Sequence, residues 1–130
     1  MEKKNPVEEA RRYVENAKKL LVENGELDIE TRSYSDRKYV RMAGDTLWKG
    51  VLVVLDAVFH VRKDRRTRVH IEDYYNAISI RDKKLLQFVK NGYDLLHLMM
   101  GYDGILDKDT CDSGFRIANT IIDRCAVMLN

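Results

Sequence analysis

The stretch Tyr39–His60, YVRMAGDTLWKGVLVVLDAVFH, decides how the rest of the chain is read. It is long enough for a central helix, and Tyr39, Ala43, Thr46, Leu47, Gly50, Val54, Ala57 and Val58 fall on one broad face at helical spacing. That face is core. Nearly opposite lie Trp48, Leu52, Leu55 and Phe59, interleaved with Arg41, Asp45 and Asp56. Large apolar side chains on a second face need a cover, either more of the same chain or another subunit. Trp48, Leu52 and Phe59 are therefore the candidate association surface, and a homodimer is the assembly they predict.

Upstream, Asn5-Pro6 with Glu8 and Glu9 reads as a helix start: a capping Asn, Pro at the first helical position and acids complementing the dipole. Val7, Ala10, Tyr13, Val14, Ala17, Leu20 and Leu21 form its stripe, and Gly25 stops it. Glu26 to Ser35 is a polar link, after which Ser35 or Asp36 can cap the central helix. Downstream, residues 71–80, IEDYYNAISI, predict a short helix or turn. A third long helix is expected from about Asp82 to Met100, with Leu85, Val89, Gly92, Leu96 and Met100 sharing one face. GYDGILDKD breaks it, and Asp109 is a plausible cap for the last helix. There Cys111, Phe115, Ala118, Ile122, Cys125, Ala126 and Leu129 make the inward stripe, and Ile117, Ile121 and Met128 a second one. No period-two alternation indicates a sheet. The pattern predicts an all-α chain, an antiparallel up-and-down four-helix bundle with one additional short helix, forming one domain over residues 1–130.

At this length roughly two thirds of the unfolded surface is buried on folding, so no staple is needed. Cys111 and Cys125 are too few for a disulfide framework and lack metal-ligand spacing; they read as core thiols of a reducing compartment. No segment approaches the roughly 18 uninterrupted apolar residues that span a bilayer, and the N-terminus has no apolar signal core. A cytoplasmic protein with no membrane partner is expected. Charged residues make up 34% of the chain but the net charge is only +2, which gives no global case for nucleic acid. The common catalytic signatures are missing, and neither cofactor nor metal is expected.

Two local segments carry candidate chemistry. Residues 61–70, VRKDRRTRVH, form the one basic run, but Asp64 interrupts it and no aromatic interleaves it, which favours a solvated loop over a nucleic-acid surface. Within it Arg65 and His70 have the residue types of a phosphodiester cleavage, His moving the proton and Arg holding the phosphate charge. The second segment is residues 91–104, NGYDLLHLMMGYDG. Tyr93 and His97 are i,i+4 neighbours, and Tyr102 and Asp103 follow where Gly101 and Gly104 break the helix. Brought to one helix end, Tyr93, His97, Tyr102 and Asp103 make either a small ligand pocket or a structural hydrogen-bond cluster; they lack the ligand count of a metal site.

Several segments together carry a resemblance: Asn5-Pro6 with Glu9-Ala10 and Tyr13, Tyr39 to Gly44, Gly50 to Leu52, Leu55 to Ala57, Lys83 to Leu86, Tyr93, Leu96 to Leu98, and Gly101 to Gly104. The chain resembles an uncharacterised bacterial family of small helical bundles with a HEPN-like fold, related in architecture to the substrate-binding partners of minimal nucleotidyltransferases. The resemblance implies an up-and-down bundle of four to five helices, often dimeric, without an established activity. HEPN nucleases place an Arg, a polar residue, three variable positions and a His at a composite dimer site, a spacing that Arg65 to His70 matches with Arg66 at the second position. The functional expectation is a non-enzymatic binding or interaction module. The alternatives are a metal-independent HEPN-type ribonuclease using Arg65 and His70 or a nucleotide-binding partner of a minimal nucleotidyltransferase.

Overall fold

The computed structural model describes residues 5–64, 66 and 68–130. Five α-helices and one π-helical segment account for most of them, and the β-bridges among the described residues are isolated pairs. Helix α1 (Pro6–Asn24) begins where Asn5 Oδ1 accepts the Val7 N–H at 2.9 Å, and Gly25 closes it by donating to the Leu21 carbonyl at 2.9 Å. Asp36 caps α2 (Arg37–Phe59), accepting from Lys38 N–H at 2.9 Å, and His60 ends it in the left-handed region at φ 54°. The short helix is α3 (Ile71–Arg81), followed at once by α4 (Lys83–Gly92). Asp107, not Asp109, caps α5 (Lys108–Leu129): its carboxylate accepts from Thr110 N–H at 3.0 Å, while Asp109 pairs with Arg32 at 2.6 Å. The earlier cap wins because the α5 backbone turns helical at Lys108, whose N–H is held by the Arg32 carbonyl at 2.9 Å.

The α2 helix is central, packing on α1, α5, the π segment and, more lightly, α3. The α2 helix and the π segment run antiparallel, Gly44 meeting Met100 and Trp48 meeting Tyr93. Gly50 of α2 lies against Ala10 and Tyr13 of α1, Gly44 against Met100, and Gly92 against Ile117 and Ile121 of α5. Both apolar faces of α2 are largely used within the subunit, for Trp48 is 8% exposed and Leu55 is fully buried. The second face therefore does not by itself require a second subunit. On α5 the two apolar stripes merge in the same way, with Ile121 as deeply buried as Ile122 and Cys125.

The expected single helix from Asp82 to Met100 is α-helical only to Gly92; Tyr93–Tyr102 is a π-helix. A π turn is wider than an α turn and rarely persists beyond one turn, so something must hold it open. The closest contact is the crossing with α2. A methyl group placed on Gly44 would stand 2.5 Å from Met100 Cβ and 2.7 Å from both Gly101 N and the Leu96 carbonyl. Only a residue without a side chain lets the two backbones come this near. At the segment's end Asp103 N–H donates five residues back to Leu98 at 2.9 Å, and Gly104 turns the chain at φ 63°. Its terminal carbonyls are then taken by arginines from the start of α2: Arg41 Nε donates to the Tyr102 carbonyl at 3.1 Å and Arg37 Nη1 to that of Gly104 at 3.2 Å. Cations at the negative end of a helix satisfy both its unpaired acceptors and its dipole.

The polar link from 26 to 35 is strapped down. Asp28 bridges to Ser33, Ser33 bridges to Asp107, and Tyr34 N–H donates to the Leu106 carbonyl at 2.9 Å. This places Leu27 and Tyr34 over the space between the end of α1 and the start of α5.

Candidate functional site

A groove of about 870 Å³ opens between α1 and α5, within the size range of ligand-binding clefts. The two helices run antiparallel beside it, fixed at one end by the ion pair of Arg11 with Asp123 at 2.9 Å. At the other end the strapped link closes it with Leu27 and Tyr34. Its floor is apolar: Val14 and Leu21 from α1 and Phe115 from α5 join those two. Val14, Leu21 and Phe115 belong to helix stripes that also feed the core, and Val14 and Phe115 stay half-buried along the groove. Beside the floor Val22 is 75% exposed, an apolar side chain with no cover in the chain itself.

The rim is charged, and its charges divide into two kinds. Lys108 is paired with Asp112 at 2.5 Å, and Arg11 with Asp123. Glu15 and Lys18, both exposed and both lining the groove, make no ion pair or side-chain hydrogen bond among the described residues. Burial is the main cause that raises the Tyr34 phenol above its ordinary value, with Cys111 and Asp112 adding to it, so this hydroxyl stays neutral at the floor. The Cys111 thiol is pushed up to about 12, first by burial and then by Asp112 and Asp107. Cys125 also rises to about 12, again chiefly by burial, with Asp82 adding to it. Neither supplies a thiolate at neutral pH, so neither is a nucleophile in this state.

The residues singled out in the sequence are distributed as follows. Tyr93 and His97 come together on the π segment with ring centroids 5.0 Å apart, and Trp48 of α2 completes an aromatic cluster, 5.7 Å from Tyr93 and 6.2 Å from His97. Trp48 lies edge-on to Tyr93 at 71°. Tyr102, 77% exposed, and Asp103 lie at the far end of the segment, where their backbone carbonyls are bound by Arg41 and Arg37. Among the described residues no ring contact or hydrogen bond joins either side chain to Tyr93 or His97. Leu52 and Phe59 are half-buried, and Arg81 lies over the Phe59 ring at 5.2 Å. His70 is exposed at the N-cap of α3, its backbone N–H donating to Asp73 Oδ2 at 2.8 Å. Arg65 lies outside the described residues.

Val14, Leu21 and Phe115 have the spacing of core stripes, and no motif in the sequence marks the groove they line. Leu27, Ile29 and Tyr34 are the apolar residues of an otherwise polar link; Leu27 and Tyr34 line the groove while Ile29 is 82% exposed, so apolarity alone does not single out the two that matter. Among the described residues no helix is long and apolar enough to cross a membrane, and no group of three His, Cys, Asp or Glu side chains is placed to hold a metal ion.

None of the curated proteins matches the chain. A solved protein of unknown function from Dyadobacter fermentans is 37% identical, with a TM-score of 0.83 and 96% of each chain covered. Residues 5–127 match the family model described as a domain of unknown function, DUF5618. The chain belongs to the DUF5618 family.

Proposed function

We propose that this protein is a non-enzymatic helical-bundle interaction module that receives its partner in the groove between α1 and α5. The observation that carries the reading is the groove itself: an apolar floor beside two rim charges, Glu15 and Lys18, that have no ion-pair partner among the described residues. An uncovered apolar floor is an unfavourable surface in water and becomes favourable only when something covers it. The antiparallel order of the long elements, with α3 as the extra short helix, supports the HEPN-like up-and-down form of the bundle. For a homodimer through α2, Leu52 and Phe59 are the remaining support, since Trp48 is taken up inside the subunit. The two free, buried thiols support a reducing compartment.

Titration with anilinonaphthalene sulfonate, an apolar fluorophore with one anionic group, tests the groove. The full chain is expected to give saturable enhancement that is lost in the Val22→Asp, Leu27→Asp double variant and kept in Ile80→Asp, which changes an apolar residue 86% exposed outside the groove lining. Circular dichroism melts confirm that each variant stays folded. Enhancement that is absent, or equal in all three proteins, refutes the reading.

A further inference from the structure

Resting on that reading, we infer that the occupant of the groove is an amphipathic helix of a partner protein, about three turns long, carrying a basic and an acidic residue one turn apart along the flank that meets α1. The groove is lined on α1 from Arg11 to Val22, a length of about 16 Å at the helical rise, which is three turns. On α5 it runs over the matching span from Lys108 to Asn119. A trough between two antiparallel helices, floored by Val14, Leu21 and Phe115, is the shape into which a third helix lays its apolar stripe.

The charges separate a helix from other apolar occupants. Along α1 the rim reads Arg11, Glu15, Lys18, that is plus, minus, plus at i, i+4 and i+7. Such a stripe repeats with the helical turn and is complemented by another helix bearing the opposite alternation, as at the flanks of a coiled coil. An acyl chain or a flat aromatic ligand has no group to set against Glu15. Arg11 is already shared with Asp123, so the partner's own pairs fall on Glu15 and Lys18, rim charges without an ion-pair partner among the described residues. The partner helix therefore presents Lys or Arg to Glu15 and Asp or Glu to Lys18. Val22, exposed at the end of the same stripe, receives an apolar residue from the partner's next turn.

A display selection of twelve-residue peptides against the full chain tests this directly. The expected enrichment is apolar residues at helical spacing flanked by a basic and an acidic residue three or four positions apart. The double reversal Glu15→Lys with Lys18→Glu, at exposed positions that leave the fold intact, is expected to weaken the selected peptides about ten-fold, and exchanging the two peptide charges to restore binding. Enriched peptides without helical spacing, or with affinities indifferent to the reversal, overturn the helix inference. So does a selection that enriches nothing while the fluorophore still binds the groove. In that case the groove reading stands alone; if the fluorophore also fails, both fall. A concentration-dependent dimer that the double reversal dissociates assigns the groove to a second copy of this chain and overturns a separate partner.

Discussion

Replacing Gly44 by Ala tests the crossing that holds the π segment against α2. The new methyl carbon would lie 2.5 Å from Met100 Cβ and 2.7 Å from two backbone atoms, Gly101 N and the Leu96 carbonyl oxygen. Ordinary contact between such atoms is about 3.5–4.0 Å, so the crossing must open by roughly 1 Å, and because backbone is involved no rotamer change can absorb it. Overpacking of this kind costs about 1–3 kcal/mol, and the rigid neighbours put Gly44→Ala at the upper end. Ala gains about 1 kcal/mol over Gly in a helix interior, leaving a net loss of about 2 kcal/mol. For a domain of this size that corresponds to a fall in Tm of about 6–12 °C. Far-UV circular dichroism melts and urea titration measure it, with an unchanged m-value showing that the denatured state is not the cause. Gly50→Ala is the control, since its added carbon meets Tyr13 Cβ at 3.0 Å and the Ala10 carbonyl at 3.1 Å, tight contacts that a small shift relieves. If Gly44→Ala is as stable as the parent, or Gly50→Ala is the more damaging, the close crossing is not what fixes the π segment.

Three further outcomes follow from the same packing. Arg124 donates to both carboxylate oxygens of Asp82, at 2.7 and 3.0 Å, and holds that carboxyl below its ordinary value, with Leu85 and Lys84 N–H groups assisting. A lowered pKa contributes stability above the unfolded value, 3.8, that is lost as pH falls through the folded one. Arg124→Met is therefore expected to lose about 1–3 kcal/mol near neutral pH and to flatten the parent's loss of stability below pH 4, as read from urea midpoints across pH. Tyr74→Phe removes the hydroxyl that donates to Asp56 Oδ1 at 2.8 Å and should destabilise by about 1 kcal/mol in the same assay. Cys111 and Cys125, buried and protonated, should resist iodoacetamide at neutral pH in the native protein and react at both positions in urea.

Helix existence was legible because each long helix carries its own period. Asn5-Pro6 and Asp36 announce their starts, Gly25 announces an end, and the stripes of α1, α2 and α5 need no tertiary knowledge. The change from α to π at Tyr93 was not legible. Its two buried residues, Leu96 and Met100, are four apart, a spacing that falls near one face at either period, and the close approach of Gly44 to backbone at 96 and 101 lies far off in sequence. The second face of α2 shows a related limit. Periodicity reported that Trp48 and Leu55 would be covered, but not that the subunit's own elements would cover them, with Tyr93 and His97 against Trp48. The groove was hidden for the converse reason: Val14 and Phe115 have the spacing of core residues, and only the groove between α1 and α5 leaves them partly open.

Site-specific photocrosslinking tests the central claim most directly, that the groove between α1 and α5 is where this protein meets its partner. Benzoylphenylalanine is placed at Lys18 or Val22 on the groove, or at Ile80 or Val127 as equally accessible positions elsewhere, and irradiated in the native cells. The account predicts one discrete heavier adduct from the groove positions, absent from Ile80 and Val127 and diminished when Glu15 is changed to Lys. A discrete adduct from Ile80 or Val127, with none from Lys18 or Val22, would contradict it.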